Sequence, residues 1–75
     1  NERITMDKII VALGQFHKKC YDRMIYKEDA GVTGWDKPEE VSDAELKKIL
    51  IENMQAGDFV DVSNIAMILN YRQRI

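Results

Sequence analysis

The chain has 75 residues, of which 45% are hydrophobic, and a formal net charge of -2. This length fits one domain (residues 1–75) with a thin core, and the hydrophobic content is too high for a disordered segment. Because no overall basic field exists to hold a phosphate backbone, nucleic acid is not an expected ligand.

The sequence shows no signal for a membrane or for export. Its apolar runs, such as residues 9–13, are far shorter than the roughly 20 residues of a membrane-spanning helix. The first residues carry charges and lack the small-residue cleavage site of a secretory signal. The single Cys20 cannot form an internal disulfide. We therefore expect a cytoplasmic protein with no membrane partner.

A first helix is predicted from Met6 to near Ala30, because apolar residues recur there at helical spacing. They form one face: Met6, Ile9, Ile10, Leu13, Phe16, Cys20 and Met24. We expect this face to lie in the core, with Cys20 buried and His17 at the boundary. These two residues alone are too few ligands for a zinc site. Gly31 is expected to end the helix.

Residues 31–41 are predicted to be a connecting loop, since they contain two glycines, the only proline and no periodicity. Trp35 is the one large apolar anchor of this loop. Its expected role is to pin the loop onto the helices. The alternative is that Trp35 stacks on a substrate.

A second helix is predicted between two clear boundary signals. Ser42 and Glu45 have the spacing of a capping box, Val41 and Leu46 that of a hydrophobic staple, and Gly57 is a typical helix end. The residues expected to face the core are Leu46, Ile49, Leu50 and Met54. The predicted fold is therefore all-α: a small three-helix domain in which an N-terminal helix precedes a helical hairpin.

The third helix, predicted from Asp58 or just after it toward Tyr71, is apolar nearly all round. Its apolar residues are Phe59, Val60, Val62, Ile65, Ala66, Met67, Ile68 and Leu69. Packing inside one small chain needs only a single apolar stripe. We therefore predict a homo-oligomer, most simply a dimer, with this helix and part of the first at the interface. The alternative is that the loop around Trp35 covers the remaining apolar surface of the third helix.

Acidic residues cluster at the predicted turn between the second and third helices. Asp58, Asp61 and Asn64 follow one another at intervals of three, and Glu52 precedes the turn. Carboxylates that converge across a helical hairpin can hold Mg²⁺, which prefers oxygen ligands. The same residues also suit capping, because Asp58 is a good N-cap and Asp61 complements the helix dipole. The spacing leaves both interpretations open.

The segment from Gly57 to Leu69, which includes the run Asp-Val-Ser-Asn-Ile-Ala-Met, resembles the last metal-binding helix of the MazG-like, all-α nucleoside triphosphate pyrophosphohydrolases. The resemblance is especially to short phage and prophage members. The stretch from Lys27 to Trp35 also resembles the loop after the first helix of that superfamily. The specific part of the resemblance is the run from Asp61 to Leu69.

The resemblance implies an oligomeric enzyme that holds Mg²⁺ against the phosphates of a nucleotide. The superfamily pattern is Glu-Glu-x-x-Glu on one helix and Glu-x-x-Asp on the next. Asp58 stands at the first acidic position of the second motif, as a shortened substitute, and Asp61 matches its Asp. Glu52 stands for one acid of the first motif, but Asn53 and Ala56 occupy the positions where the others are expected.

These matches imply specific roles for five residues. Glu52, Asp58 and Asp61 are the predicted Mg²⁺ ligands, and Glu52 and Asp61 are the predicted catalytic residues. Lys48 and Asn64 are the predicted cofactor-binding residues, with Lys47 or Lys48 offsetting phosphate charge. The predicted function is thus a Mg²⁺-dependent pyrophosphohydrolase or a degenerate relative of one. The alternative is a non-catalytic helical interaction module, of the kind a phage encodes to bind a protein partner.

Overall fold

The computed structural model describes residues 2–32 and 34–73, with side chains from Met6 onward. These ranges contain three helices and no strand: α1 (Glu2–Asp29), α2 (Asp43–Ala56) and α3 (Phe59–Gln73). The predicted all-α class, with an N-terminal helix before a helical hairpin, is confirmed. The prediction of one domain over 1–75 includes positions 1, 33, 74 and 75, which lie outside the described residues.

Local sequence explains where α2 begins and ends. Ser42 has an extended backbone, and its Oγ accepts a hydrogen bond from the backbone N–H of Glu45 at 3.1 Å. At the other end Gly57 is left-handed, with φ 79°. The N–H groups of Gly57 and Asp58 donate to carbonyls in the last turn of α2, at 3.1 and 2.9 Å. Both predicted boundaries are confirmed, and the turn directs α3 back along α2.

The core lies between α2 and α3. Its buried hydrophobic residues are Leu46, Ile65 and Ile68, and the half-buried residues packed against them are Trp35, Val41, Leu50 and Leu69. Trp35 also lies edge-on to Tyr71, with ring centroids 5.3 Å apart. The predicted role of Trp35 in pinning the loop is therefore confirmed, and the core is as thin as the chain length predicts.

α1 extends well beyond the hairpin. It has 28 residues against 15 in α3, which corresponds to about 42 Å against about 22 Å. Among the described residues α1 approaches α3 but not α2. The α1 face is half-buried at Phe16, Cys20 and Met24 but exposed at Met6, Ile9, Ile10 and Leu13. The prediction that this whole face lies in the core is wrong for its first half, because α3 contacts α1 in its second half and then packs its last turn against the loop and α2.

Apolar residues also stay exposed on the hairpin. Ile49 and Met54 of α2, predicted to face the core, are exposed. Ile49 lines an open groove between α1 and α2, because these helices do not pack together. On α3 the exposed large apolar residues are Phe59, Met67 and Tyr71. Across the described ranges, none of the helices is both long and apolar enough to cross a membrane.

Candidate functional site

The turn between α2 and α3 places Asp58 and Asp61 side by side. Oδ1 of Asp58 accepts a hydrogen bond from the backbone N–H of Asp61 at 3.2 Å, which is the contact of a helix N-cap. Asp61 lies in the first turn of α3, where a carboxylate complements the positive end of the helix dipole. The capping contact predicted as the alternative to metal binding is therefore present.

Two cations from α1 face these carboxylates, and we call Arg23, Lys27, Asp58 and Asp61 the charged cluster. Nη1 of Arg23 lies 3.0 Å from Oδ2 of Asp58 and 3.0 Å from Oδ1 of Asp61. Nζ of Lys27 lies 3.2 Å from the same Asp61 oxygen. The Asp61 side chain is only 13% exposed, so water screens its ion pairs less than those of a surface residue. The cluster holds α1 against the start of α3.

The same contacts shift the pKa of two groups in the charged cluster. The backbone N–H of Asp61, and after it the guanidinium of Arg23, hold the pKa of Asp58 below its ordinary value. The hydrogen bond to Asp58 raises the pKa of Arg23 further above its already high value. Both groups are therefore charged at neutral pH, and the cluster pairs two cations with two carboxylates.

The predicted site residues on α2 do not join the charged cluster. Glu52 and Lys48 are exposed. Within 2–32 and 34–73, no group of three or more His, Cys, Asp or Glu side chains is arranged to hold a metal ion. The structure thus brings together two of the three predicted Mg²⁺ ligands, Asp58 and Asp61, without Glu52. Both carboxylates already face cations, whereas Mg²⁺ needs several oxygen ligands of its own.

Asn64, the other predicted cofactor-binding residue, joins α1 to α3. It is buried, and its Nδ2 donates a hydrogen bond to the backbone carbonyl of Cys20 at 3.1 Å. This bond satisfies a polar side chain that would otherwise be costly to bury. Cys20 is half-buried, short of the full burial predicted for it, and His17 is exposed.

An open apolar groove lies between the C-terminal half of α1, the loop, α2 and α3, and we call it the central groove. Its volume is about 280 Å³. It is lined by Met24, Lys27, Glu28, Val32, Trp35, Val41, Leu46, Ile49, Asn64, Ile65 and Ile68. Lys27 belongs both to this groove and to the charged cluster, so the two features adjoin.

A second groove runs along the α1–α3 contact, and we call it the α1–α3 groove. It has a volume of about 480 Å³. Its lining residues are Leu13, Phe16, His17, Cys20, Tyr21, Met24, Ser63, Asn64 and Met67. At Leu13 it meets the exposed apolar residues of the first half of α1, which we call the α1 stripe: Met6, Ile9, Ile10 and Leu13.

Sequence reasoning missed the two arginines that organise the polar contacts. Arg23 bridges both aspartates, and Arg72 is buried near the end of α3 with its side chain only 4% exposed. The signal for Arg72 is its position one turn after Ile68, on the buried side of α3. The signal for Arg23 is weaker, because its partners are more than thirty residues away along the chain.

A scan against protein-family models finds no match to this chain, and searches of curated proteins and of solved structures find no significant match.

Proposed function

We propose that this chain is a non-catalytic helical interaction module that binds a protein partner through α1. The proposal rests on one observation: the chain leaves more surface uncovered than a compact monomer of its mass. The chain exposes 6078 Å², whereas a compact monomer of 8.7 kDa is expected to expose about 4,700 Å². The excess is about 1,300 Å² on that scale.

The elongated shape accounts for this excess. The radius of gyration is 14.5 Å and the longest dimension 49 Å, while a compact domain of this length is expected to have a radius of gyration of about 11 Å. The N-terminal half of α1 extends past α3 and carries the α1 stripe. A contiguous apolar surface of this kind is typical of a protein-binding site.

The pyrophosphohydrolase implied by the resemblance is less well supported by the geometry. Asp58 and Asp61 are adjacent, as that function needs. To bind Mg²⁺, however, they would have to exchange the charge-assisted hydrogen bonds to Arg23 and Lys27 for the ion. Glu52 would also have to reach them from its exposed position on α2. The interaction module requires no such rearrangement.

Site-specific photo-crosslinking in cells that express the chain tests the proposal. The crosslinking amino acid replaces Leu13 in one variant and Val11 in another. The two side chains are 63% and 56% exposed, and two residues of a helix separated by one position lie on nearly opposite sides. We expect a protein crosslink at position 13 and none at position 11. Absence of any product at position 13 would overturn the proposal.

A further inference from the structure

We infer that the partner bound by α1 is a second copy of this chain, arranged antiparallel to the first about a two-fold axis. This inference rests on the proposed function. It starts from the continuity of the α1 stripe and the α1–α3 groove, which share Leu13. Each copy therefore presents an apolar stripe and, directly after it along the same helix, an apolar groove that is open to receive one.

A two-fold axis perpendicular to α1 near position 15 covers the α1 stripe and the α1–α3 groove of each copy at once. It lays the stripe of each copy on the groove of the other, as an isologous interface requires. Ile10 lies as far before position 15 as Cys20 lies after it, so Ile10 comes opposite Cys20 of the second copy. By the same rule Met6 comes opposite Met24. A parallel pairing would instead set stripe against stripe and leave both grooves open.

The uncovered surface of the chain as a whole exceeds the area that one side of a stable dimer buries. A standard protein interface buries about 800 Å² per partner. The surface in excess of a compact monomer is about 1,300 Å², by the mass scaling used above. The antiparallel pairing also covers Met67 of α3, a groove residue that is 40% exposed in the single chain. The exposed first half of α1 thus acquires a neighbour, which α3 does not provide because its last turn packs against the loop and α2.

Sedimentation equilibrium of the purified protein at micromolar concentration tests the assembly. We expect a mass twice that of the chain. Leu13→Glu places a charge in the middle of the interface and is expected to raise the dissociation constant roughly thirtyfold or more, as loss of a central interface side chain does. Val11→Glu, the matched change on the opposite side of α1, should leave the dimer intact. A wild-type monomer, or equal effects of the two variants, would overturn the inference.

Cysteine crosslinking tests the direction of the pairing independently of the charge variants. In an Ile10→Cys variant, oxidation should join the thiol at position 10 to Cys20 of the second copy. Within one helix these positions are about 15 Å apart, too far for an internal disulfide. Trypsin should then release the peptide 9–18 linked to the peptide 20–23. The link should vanish in Ile10→Cys/Cys20→Ser, and a 9–18 peptide linked to itself would instead indicate parallel pairing.

The photo-crosslinking experiment separates failure of the dimer from failure of the proposed function. A product at position 13 with twice the mass of the chain supports both. A product with a different protein supports the interaction module and overturns the second copy as its partner. No product at that position overturns both.

Discussion

Arg72 connects the last turns of α3 to the loop and to the start of α2. Its guanidinium donates to the backbone carbonyls of Trp35 at 3.0 Å, Val41 at 2.7 Å and Gly34 at 3.4 Å, and to the Asp43 carboxylate at 2.8 Å. Three of these acceptors belong to the loop, which has no regular structure of its own. The planar guanidinium thus replaces the backbone pairing that a helix or sheet would supply.

Arg72→Leu is expected to lower the free energy of unfolding by about 2–4 kcal/mol, because it removes the donor to the half-buried carbonyls of Trp35 and Val41. Urea unfolding followed by circular dichroism at fixed protein concentration measures the loss. Asp43→Asn is the control: it alters one partner whose side chain is 57% exposed, so its cost should be below about 1 kcal/mol. Equal losses for the two variants would show that the backbone contacts of Arg72 contribute little.

The lowered pKa of Asp58 gives the charged cluster a pH dependence of definite sign. A carboxyl whose pKa is lower in the folded state than in the unfolded state stabilises the fold above its unfolded pKa. That stability is lost as the pH falls through the folded value. We therefore expect the melting temperature to decrease as acid protonates Asp58, and carbon-detected NMR titration should give its pKa below the ordinary value.

Arg23→Gln separates the two causes of that lowered pKa. The main cause is the backbone N–H of Asp61, which the variant retains, and the guanidinium comes second. The pKa of Asp58 should therefore rise only part of the way toward its ordinary value. Full recovery would mean that the ion pair, and not the N-cap, controls this carboxyl. Lys18→Gln, which removes an exposed ion pair elsewhere on α1, should leave the titration unchanged.

At the scale of the helices, sequence predicts the elements best where a boundary depends on near neighbours. The N-cap Ser42 and the left-handed Gly57 contact residues within five positions, so their patterns fix both ends of α2. Helical periodicity likewise identifies the apolar face of α1, but not what covers it. That depends on the path of α3 across α1, and the pairing of Arg23 with Asp58 and Asp61 depends on the same path. Local spacing in the sequence encodes neither feature. The sequence therefore predicted Asp58 and Asp61 as Mg²⁺ ligands without indicating that Arg23 and Lys27 pair with them.

Two glycine substitutions should change stability in opposite directions. Gly57→Ala forces an L-residue to adopt φ 79° and should destabilise the fold by about 1 kcal/mol. Gly14→Ala lies in mid-helix, where an added Cβ meets nothing within 4 Å, and should stabilise α1 by up to about 1 kcal/mol. The pair is best compared by thermal unfolding in a Leu13→Glu background, which removes the proposed dimer contact. If the two substitutions shift the melting temperature in the same direction, the expected effect of one of them is wrong.

For the whole molecule, the interaction module and the pyrophosphohydrolase predict different responses to ligand. A ligand at a hundred times its dissociation constant adds about 2.7 kcal/mol, which raises the melting temperature of a small domain by roughly 10 °C or more. We expect no such rise with Mg²⁺ and a panel of nucleoside triphosphates, and no release of pyrophosphate. A rise that Asp61→Asn abolishes, together with turnover, would establish the hydrolase instead.

The exposed first half of α1 is expected to open locally more readily than the core. None of the described side chains from Met6 to Gln15 forms a hydrogen bond to another element, and an isolated helix of so few turns is marginal in water. Amide hydrogens near Ile9 and Ile10 should therefore exchange with solvent far faster than those of Ile65 and Ile68 in the core. If the antiparallel dimer forms, their exchange should slow as protein concentration rises, while exchange at the core should change little. The order of the first turns of this chain would then be set by how many copies of it are present.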